Sequence, residues 1–303
     1  MSLLNSLIRL SLPVAPRPVI RFFARRYVAG TTVDQAVTTV LRLRAQGCRT
    51  TLDILGESVT QPAQAEAARD EYLKLLDAIR EEGLEPNVSL KPTQLGLAID
   101  ERFCCDNVAR IVEKAAGLGG FVRIDMEDSP TTDATLRVYR DIVSRHPGRV
   151  GVVLQARLRR TLADAAALGA ERANIRLCKG IYLEPRAVAY EERDIIRNAF
   201  VSALRVLLRA GSYVGIATHD EWLVERSLDV IAELGLAPDR YEFQMLLGVD
   251  PALRRIILAG GHTLRVYVPF GTHWYPYSVR RLRENPTIVR AGLEAFLRGR
   301  LET

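Results

Sequence analysis

The 303-residue chain has little of several things, and each scarcity excludes a class of protein. Its four cysteines are Cys48, Cys104, Cys105 and Cys178. None sits in a CxxC pair, and the adjacent Cys104 and Cys105 cannot begin an ordinary disulfide framework. That argues against a disulfide-stapled scaffold and for a reducing compartment. No HxH, no HExxH and no carboxylate cluster with histidine at ligand spacing occurs, so no metal site is expected. No apolar run exceeds about eight residues, far below the roughly 20 that a spanning helix needs. There is no GxGxxG, the turn by which a doubly wound sheet usually receives a dinucleotide. Lysine is scarce as well. Only Lys74, Lys91, Lys114 and Lys179 occur among 42 basic residues, so the positive charge is carried by arginine.

The formal charge is +6, with basic and acidic residues interleaved along most of the chain. A nucleic-acid binder would show a basic stripe with aromatics, and no nucleic-acid partner is expected. The first 33 residues differ. They contain no acid, and Arg9, Arg17, Arg21, Arg25 and Arg26 stand among apolar residues, broken near Pro13, Pro16 and Pro18. Three readings stay open: a basic amphipathic segment packed on the domain, one that touches an anionic membrane surface, or an organelle-targeting segment.

From residue 49 onward, short β-branched runs alternate with longer stretches of helical periodicity. Strands are expected at 50–58, 87–93, 121–128, 150–157, 173–180, 213–220, 241–248 and 263–271. Helical patterns lie at 63–82, 100–118, 132–146, 158–168, 188–210, 221–234 and 251–259, with Gly83, Gly169, Gly211 and Gly260 as left-handed caps. Buried parallel strands read as nearly continuous apolar runs, as these do. Eight βα units without a linker predict an α/β fold, a distorted (β/α)8 barrel of the TIM type. A doubly wound open sheet is the runner-up. The expected organisation is an N-terminal helical segment at 1–49, then a catalytic barrel at 50–303 that ends in a C-terminal lid helix.

A barrel carries its active site at the C-terminal ends of its strands. The polar residues there are Glu57, Lys91, Asp125 with Glu127, Gln155, Arg176 with Lys179, Thr218 with His219, Gln244 and Tyr267. Asp128 and Asp220 read as helix caps. The cations Lys91, Arg176 and Lys179 on one rim point to an anionic ligand, a phosphate or a carboxylate. After the eighth strand, Pro276 and Pro286 bracket a short helix. On it Tyr277 lies one turn before Arg280 and Arg281, and Glu284 one turn after them, so the helix can close over the barrel.

At these positions the chain resembles the proline dehydrogenases, flavoenzymes that oxidise proline. The matching stretches are Asp53-Ile-Leu-Gly-Glu57, Val88-Ser-Leu-Lys91, Arg123-Ile-Asp125-Met-Glu127, Val153-Leu-Gln155, Arg176-Leu-Cys-Lys179-Gly-Ile-Tyr182, Ala217-Thr-His219, Glu242-Phe-Gln-Met-Leu246, Arg265-Val-Tyr267 and Tyr277-Ser-Val-Arg280-Arg281-Leu-Arg-Glu284. Each is weak alone; their common order along the chain is not. The resemblance implies FAD held without a Rossmann fingerprint. It implies oxidation of L-proline to 1-pyrroline-5-carboxylate by hydride transfer to flavin N5, with electrons passed to a membrane quinone. By matching position, Asp125 and Arg176 are catalytic. Lys91, Arg280 and Arg281 bind the substrate carboxylate, and Leu246, Tyr267 and Tyr277 wall its ring. Glu57 is a gate that pairs with Arg280. Met126, Gln155, Lys179, Gly180, Ile181, Thr218 and His219 hold FAD, with Lys179 or His219 facing the pyrophosphate. Ile181 departs from the family, which usually has alanine there. A separate pyrroline-5-carboxylate dehydrogenase is implied as a partner, and a cytoplasmic location, peripheral on the inner face of the membrane.

Two other functions fit the same residues. A Schiff-base lyase on this barrel would use Lys91 or Lys179 as nucleophile. A non-catalytic binder would use the basic N-terminus at a membrane or on nucleic acid.

Overall fold

The computed structural model describes residues 17–284, and side chains between residues 20 and 279 apart from Phe23. Helices α1 (Arg17–Ala24) and α2 (Val33–Ala45) precede the barrel. The barrel strands are β1 (Arg49–Ile54), β2 (Asn87–Leu90), β3 (Phe121–Ile124), β4 (Val150–Gln155), β5 (Ile175–Cys178), β6 (Val214–Ala217), β7 (Tyr241–Leu246) and β8 (Leu264–Phe270). Between them lie α3 (Pro62–Glu81), α4 (Glu101–Gly117), α5 (Thr132–Arg145), α6 (Thr161–Ala170), α7 (Arg193–Arg209), α8 (Glu221–Glu233) and α9 (Pro251–Ala259), and α10 (Trp274–Glu284) follows β8. The strands pair in sequence order, all parallel, and β1 closes on β8 from Arg49–Arg265 to Ile54–Phe270. The open sheet is thereby excluded.

The helices form where the apolar residues recur at three- and four-residue spacing. In α3 the buried residues are Ala65, Ala68, Tyr72, Leu75, Leu76 and Ile79, one face turned to the strands. Asp100 caps α4 by accepting from the Phe103 amide at 2.7 Å. Thr32 and Gln35 form a capping box on α2. Tyr72 reaches from α3 into the β1–β2 seam, donating to the Ser89 carbonyl at 2.8 Å.

Each strand is shorter than its sequence pattern suggested, chiefly at the C-terminal end. Asp125, Lys91, Lys179 and His219 lie just beyond their strands rather than within them. Regular pairing ends there with one or two further cross-strand bonds, such as the Asp125 amide to the Leu90 carbonyl at 2.9 Å, while the side chains continue the strand's composition. The helix expected from 188 begins at Arg193; before it the chain turns at Pro185 and makes one antiparallel bridge, Leu158–Ala189. Two of the four expected glycine caps are displaced. Gly83 and Gly211 do take positive φ, but Gly169 lies inside α6, with Arg172 left-handed after it, and Gly261 rather than Gly260 makes the turn after α9.

The barrel interior is polar, where branched apolar side chains usually fill such barrels. Arg265 donates to Glu242 at 2.8 Å, to the Thr50 carbonyl at 2.7 Å and to Glu85 at 3.1 Å. Arg123 donates to the Asn174 and Val152 carbonyls at 2.7 and 3.1 Å. These long side chains fit because small residues face them. A Cβ on Gly151 would lie 2.3 Å from Arg123 Nη1 and 2.5 Å from the Asn174 carbonyl. A Cβ on Gly215 would lie 2.4 Å from Gln244 Nε2. A cavity of about 190 Å³ at the N-terminal end of the barrel is lined by these same paired groups.

The N-terminal segment packs on the barrel over its described part. Ala24, Val28, Leu55 and Tyr277 form a small apolar cluster that joins α1 to α10, with Trp274 against it. Ala29 donates to the Pro269 carbonyl at 2.8 Å, and Arg21 lies 5.7 Å from the Trp274 ring centroid. No helix among the described residues is long and apolar enough to cross a membrane.

Gly151→Ala forces Arg123 and the β5 entry apart, and overpacking of this kind costs about 1–3 kcal/mol. A lowered urea midpoint is expected; an unchanged midpoint would mean that Arg123 does not cross the barrel at β4.

Candidate active site

The C-terminal ends of β1, β2, β3, β5 and β8 place five ionisable groups together. Lys91, just past β2, donates to Asp53 of β1 at 2.8 Å and to the Tyr267 hydroxyl of β8 at 3.1 Å, with Asp125 at 3.4 Å. Asp125, just past β3, accepts from Ser89 at 2.7 Å and from Arg176 of β5 at 2.8 Å. Arg176 also donates to the Ser89 hydroxyl at 3.0 Å and to Gln244 at 2.5 Å. Lys91 and Arg176 lie over the Tyr267 ring, 5.8 and 5.3 Å from its centroid. Asp53 is fully buried and Lys91 nearly so.

Burial works against the charge of Lys91, but Asp53 and Asp125 outweigh it and hold the ammonium well above its ordinary pKa. Burial first, then the same two carboxylates, lift the Tyr267 hydroxyl well above the usual range, so it stays neutral. The cluster therefore has two cations and two carboxylates. Lys91 and Arg176, expected on the rim with Lys179 to meet an anionic ligand, each already have a carboxylate partner. A lysine held protonated by three acceptors is a poor amine nucleophile, which removes the Schiff-base reading for Lys91.

Above the cluster lies a cavity of about 120 Å³, lined by Leu55, Gly56, Glu57, Lys91, His273, Pro276 and Tyr277. It joins Glu57 and Tyr277 to Lys91 from distant parts of the chain. Helix α10 exists as expected, and Tyr277 is buried on it. The side chains of Arg280 and Arg281, and Pro286, lie outside the described residues. Leu246 ends β7 and is half-buried.

A second group of side chains stands at the ends of β4, β5 and β6. Gln155 is buried and donates to the Glu127 carbonyl at 2.6 Å. Gly180 has φ +96°, and a Cβ there would lie 2.8 Å from Arg157 and 2.9 Å from Gln155 Oε1. Thr218 accepts from the Asp220 amide at 3.1 Å. Met126 is buried, and Ile181 is half-buried in the loop after β5. The Leu246 amide donates to His219 Nε2 at 2.8 Å. That nitrogen is then an unprotonated acceptor and the ring neutral, so the charge expected of Lys179 or His219 belongs to Lys179.

Asp220 is not the capping side chain it seemed; it makes no cap bond on α8. It accepts from Lys179 at 3.0 Å and from Arg197 at 2.9 and 2.7 Å, with Arg193 at 3.6 Å. Asp128 makes no cap bond to a backbone amide either and takes the Thr131 hydroxyl at 3.1 Å. Arg197 also reaches Asp194 at 3.4 Å, so three cations face two carboxylates and one positive charge is in excess, which suits a phosphate-bearing group. Asp53, Ser89 and Gln244 also belong to the site. Asp53 and Gln244 stood in the matching motifs without a role; a buried acid facing a scarce lysine was the available signal.

A parallel barrel with a charge-balanced cluster at its C-terminal rim, a small cavity above it and surplus cations beside it defines a barrel enzyme that can hold a small charged substrate next to a phosphate-bearing cofactor. The family model "Proline dehydrogenase" matches residues 36–290. The chain is 36% identical over 300 residues to Proline dehydrogenase of Deinococcus radiodurans, covering 95% of this chain and 97% of that one. It is 35% identical over 278 residues to Proline dehydrogenase 1 of Bacillus subtilis strain 168, covering 92% of each. The chain belongs to the proline dehydrogenase family, oxidoreductases that act on proline. The fold also matches proline utilization A from Bdellovibrio bacteriovorus, "inactivated by N-propargylglycine", with a TM-score of 0.81 at 23% identity. That match covers 87% of this chain but only 32% of the longer one.

Burial works to raise the Asp220 carboxyl, yet Arg197 and Lys179 hold it below its ordinary value of 3.8. A depressed carboxylate stabilises the fold above its unfolded pKa, and that stability is lost as pH falls through the folded one. The melting temperature should therefore fall more steeply below pH 4 in the wild type than in Asp220→Asn. Parallel curves would show that Asp220 is not held by its cations.

Proposed function

We propose that this protein oxidises L-proline to 1-pyrroline-5-carboxylate, the first step of proline degradation, with FAD as its cofactor and a membrane quinone as the final electron acceptor. The observation that carries the reading is the Lys91–Asp53–Tyr267–Asp125–Arg176 cluster beneath a cavity that also includes Glu57 and Tyr277.

The residues of the second group fit FAD. Gly180 leaves the space a Cβ would fill, between Arg157 and Gln155. Lys179, Arg193 and Arg197 exceed the carboxylates of Asp220 and Asp194 by one charge, which suits a pyrophosphate. Gln155 presents an amide edge suited to the flavin pyrimidine. Met126, Ile181, Thr218 and His219 complete the lining, His219 through its second ring nitrogen. Ile181 narrows this space relative to the usual alanine. When bound, FAD supplies the acceptor, at N5, for the hydride that leaves the proline carbon next to nitrogen.

The chain's own residues do the positioning. Lys91, kept cationic, faces the substrate carboxylate with Arg280 and Arg281. Tyr267, neutral and braced by Lys91 and Arg176, walls the ring with Leu246 and Tyr277. Asp125 fixes Arg176, a guanidinium that would stabilise the negative charge FAD gains on reduction. Glu57 closes the cavity against Arg280 and excludes water. The amine must be neutral when the hydride departs, because a cationic nitrogen cannot supply electrons to the forming C=N bond. Residues 1–49 serve as the N-terminal segment, packed over its described part, and 50–303 as the catalytic barrel. The protein works in the cytoplasm, peripherally on the inner membrane face, and hands its product to a separate pyrroline-5-carboxylate dehydrogenase.

The purified protein reconstituted with FAD should show flavin absorption that bleaches on anaerobic addition of proline. A colourless protein, or flavin bands indifferent to proline, would refute the reading. Arg281→Met should keep the flavin and raise KM for proline about 10–100-fold, the worth of a charged hydrogen bond. An unaltered KM would remove Arg281 from the carboxylate site.

A further inference from the structure

We infer that Thr93 and Glu127 are positioning residues that hold the 55–59 loop, and with it Glu57, against the substrate cavity. The inference rests on reading that cavity as the proline pocket.

Thr93 lies two residues after Lys91, in the 3-10 turn Pro92–Leu95. Its hydroxyl accepts from the Ser58 amide at 2.9 Å, and its carbonyl accepts from the Val59 amide at 3.1 Å. Two successive amides of the loop are thus clamped on one residue. Ser58 has φ +56°, a left-handed conformation that a residue with a Cβ keeps only when its surroundings impose it. In that conformation the Ser58 and Val59 amides both reach Thr93. On the other side of the loop, a Cβ at Gly56 would lie 2.5 Å from Gln94 Nε2, so the chain runs flush against the same turn. Glu57 is seated between these two contacts.

Thr93 is in turn oriented by Glu127. The Thr93 hydroxyl donates to Glu127 Oε1 at 2.6 Å, and the Thr93 amide donates to Oε2 at 2.9 Å. A hydroxyl that donates to a carboxylate is a better acceptor for the next donor, here the Ser58 amide. Glu127 is buried, and its backbone carbonyl takes the Gln155 amide at 2.6 Å. One residue therefore touches both the proposed flavin side and the tether of the gate.

The ionised carboxylate accepts strongly from both Thr93 donors at once, whereas protonation leaves one of its oxygens only a weak acceptor. Protonation sets an O–H against a donor or reverses the Thr93 hydroxyl, and either outcome weakens the hold on Ser58. Burial pushes the Glu127 carboxyl up to about 7, although the Thr93 bonds and the charge of Lys91 work to lower it. The groups that face it are Lys91 beyond β2, Glu57 on the loop and Cys104 on α4.

The test is steady-state proline oxidation by the flavin-loaded full chain with a soluble dye as acceptor. Thr93→Val should raise KM for proline five- to twenty-fold with kcat within two-fold, and Thr93→Ser, which keeps the hydroxyl, should restore KM. Wild-type KM should rise as pH falls below about 7, whereas Glu127→Gln should show a raised KM without that component. If Thr93→Val does not fold, the Glu127→Gln profile decides. Wild-type KM in both variants, a loss confined to kcat, or no rescue by serine overturns the inference while leaving proline oxidation in place. A wild type inert toward proline overturns the functional reading and this inference together.

Discussion

The site depends on one buried ion cluster, in which Lys91 is shared between Asp53 and Asp125. Taking a lysine and two acids out of water is costly unless each finds its partner with good geometry. Here the partners come from β1, β2 and β3, and Tyr267 and Arg176 complete the set from β8 and β5. The cluster can form only if the barrel closes with β1 in register against β8. Pairing of β1 with β2 puts Asp53 beside Lys91, and closure of β8 on β1 adds Tyr267, so the complete site depends on the closed fold.

The same constraint explains the unusual interior. A barrel packed with branched apolar side chains would give Arg176 nothing to lean on. Instead Gln244, bonded to Arg176 at 2.5 Å, connects the rim to Glu242 and Arg265 below. Gly151 and Gly215 supply the volume that those long side chains need. Rigidity at the rim is bought with small residues at mid-barrel, and satisfied polar networks of this kind specify one arrangement of their members.

Much of this was legible in the chain. The alternation of β-branched runs with amphipathic stretches located all eight strands, because buried parallel strands and surface helices differ in period. The N-terminal helix, the helix after β8 and the convergence of Lys91, Asp125, Arg176 and Tyr267 were also accessible. Strand ends were read too long because composition runs on past the last regularly paired residue. Asp220 passed for a cap, since an acid before a helix usually is one; its cations come from the end of β5 and the start of α7, both distant from it in the chain. Asp53 had no assigned role, and the Glu127–Thr93–Ser58 chain spans three elements whose spacing in sequence carries no trace of it.

What the sequence determined by itself was the period of its elements, their order and the kinds of charge brought to the rim, because these follow from local pattern and from the rule that parallel barrels expose strand ends on one face. Only the tertiary structure decided which charge neutralises which. It paired Lys91 with Asp53 and Arg176 with Asp125, and made His219 an acceptor for the Leu246 amide. It also left the excess positive charge around Asp220. Those outcomes depend on distances between residues far apart in the chain, and no local pattern encodes a distance.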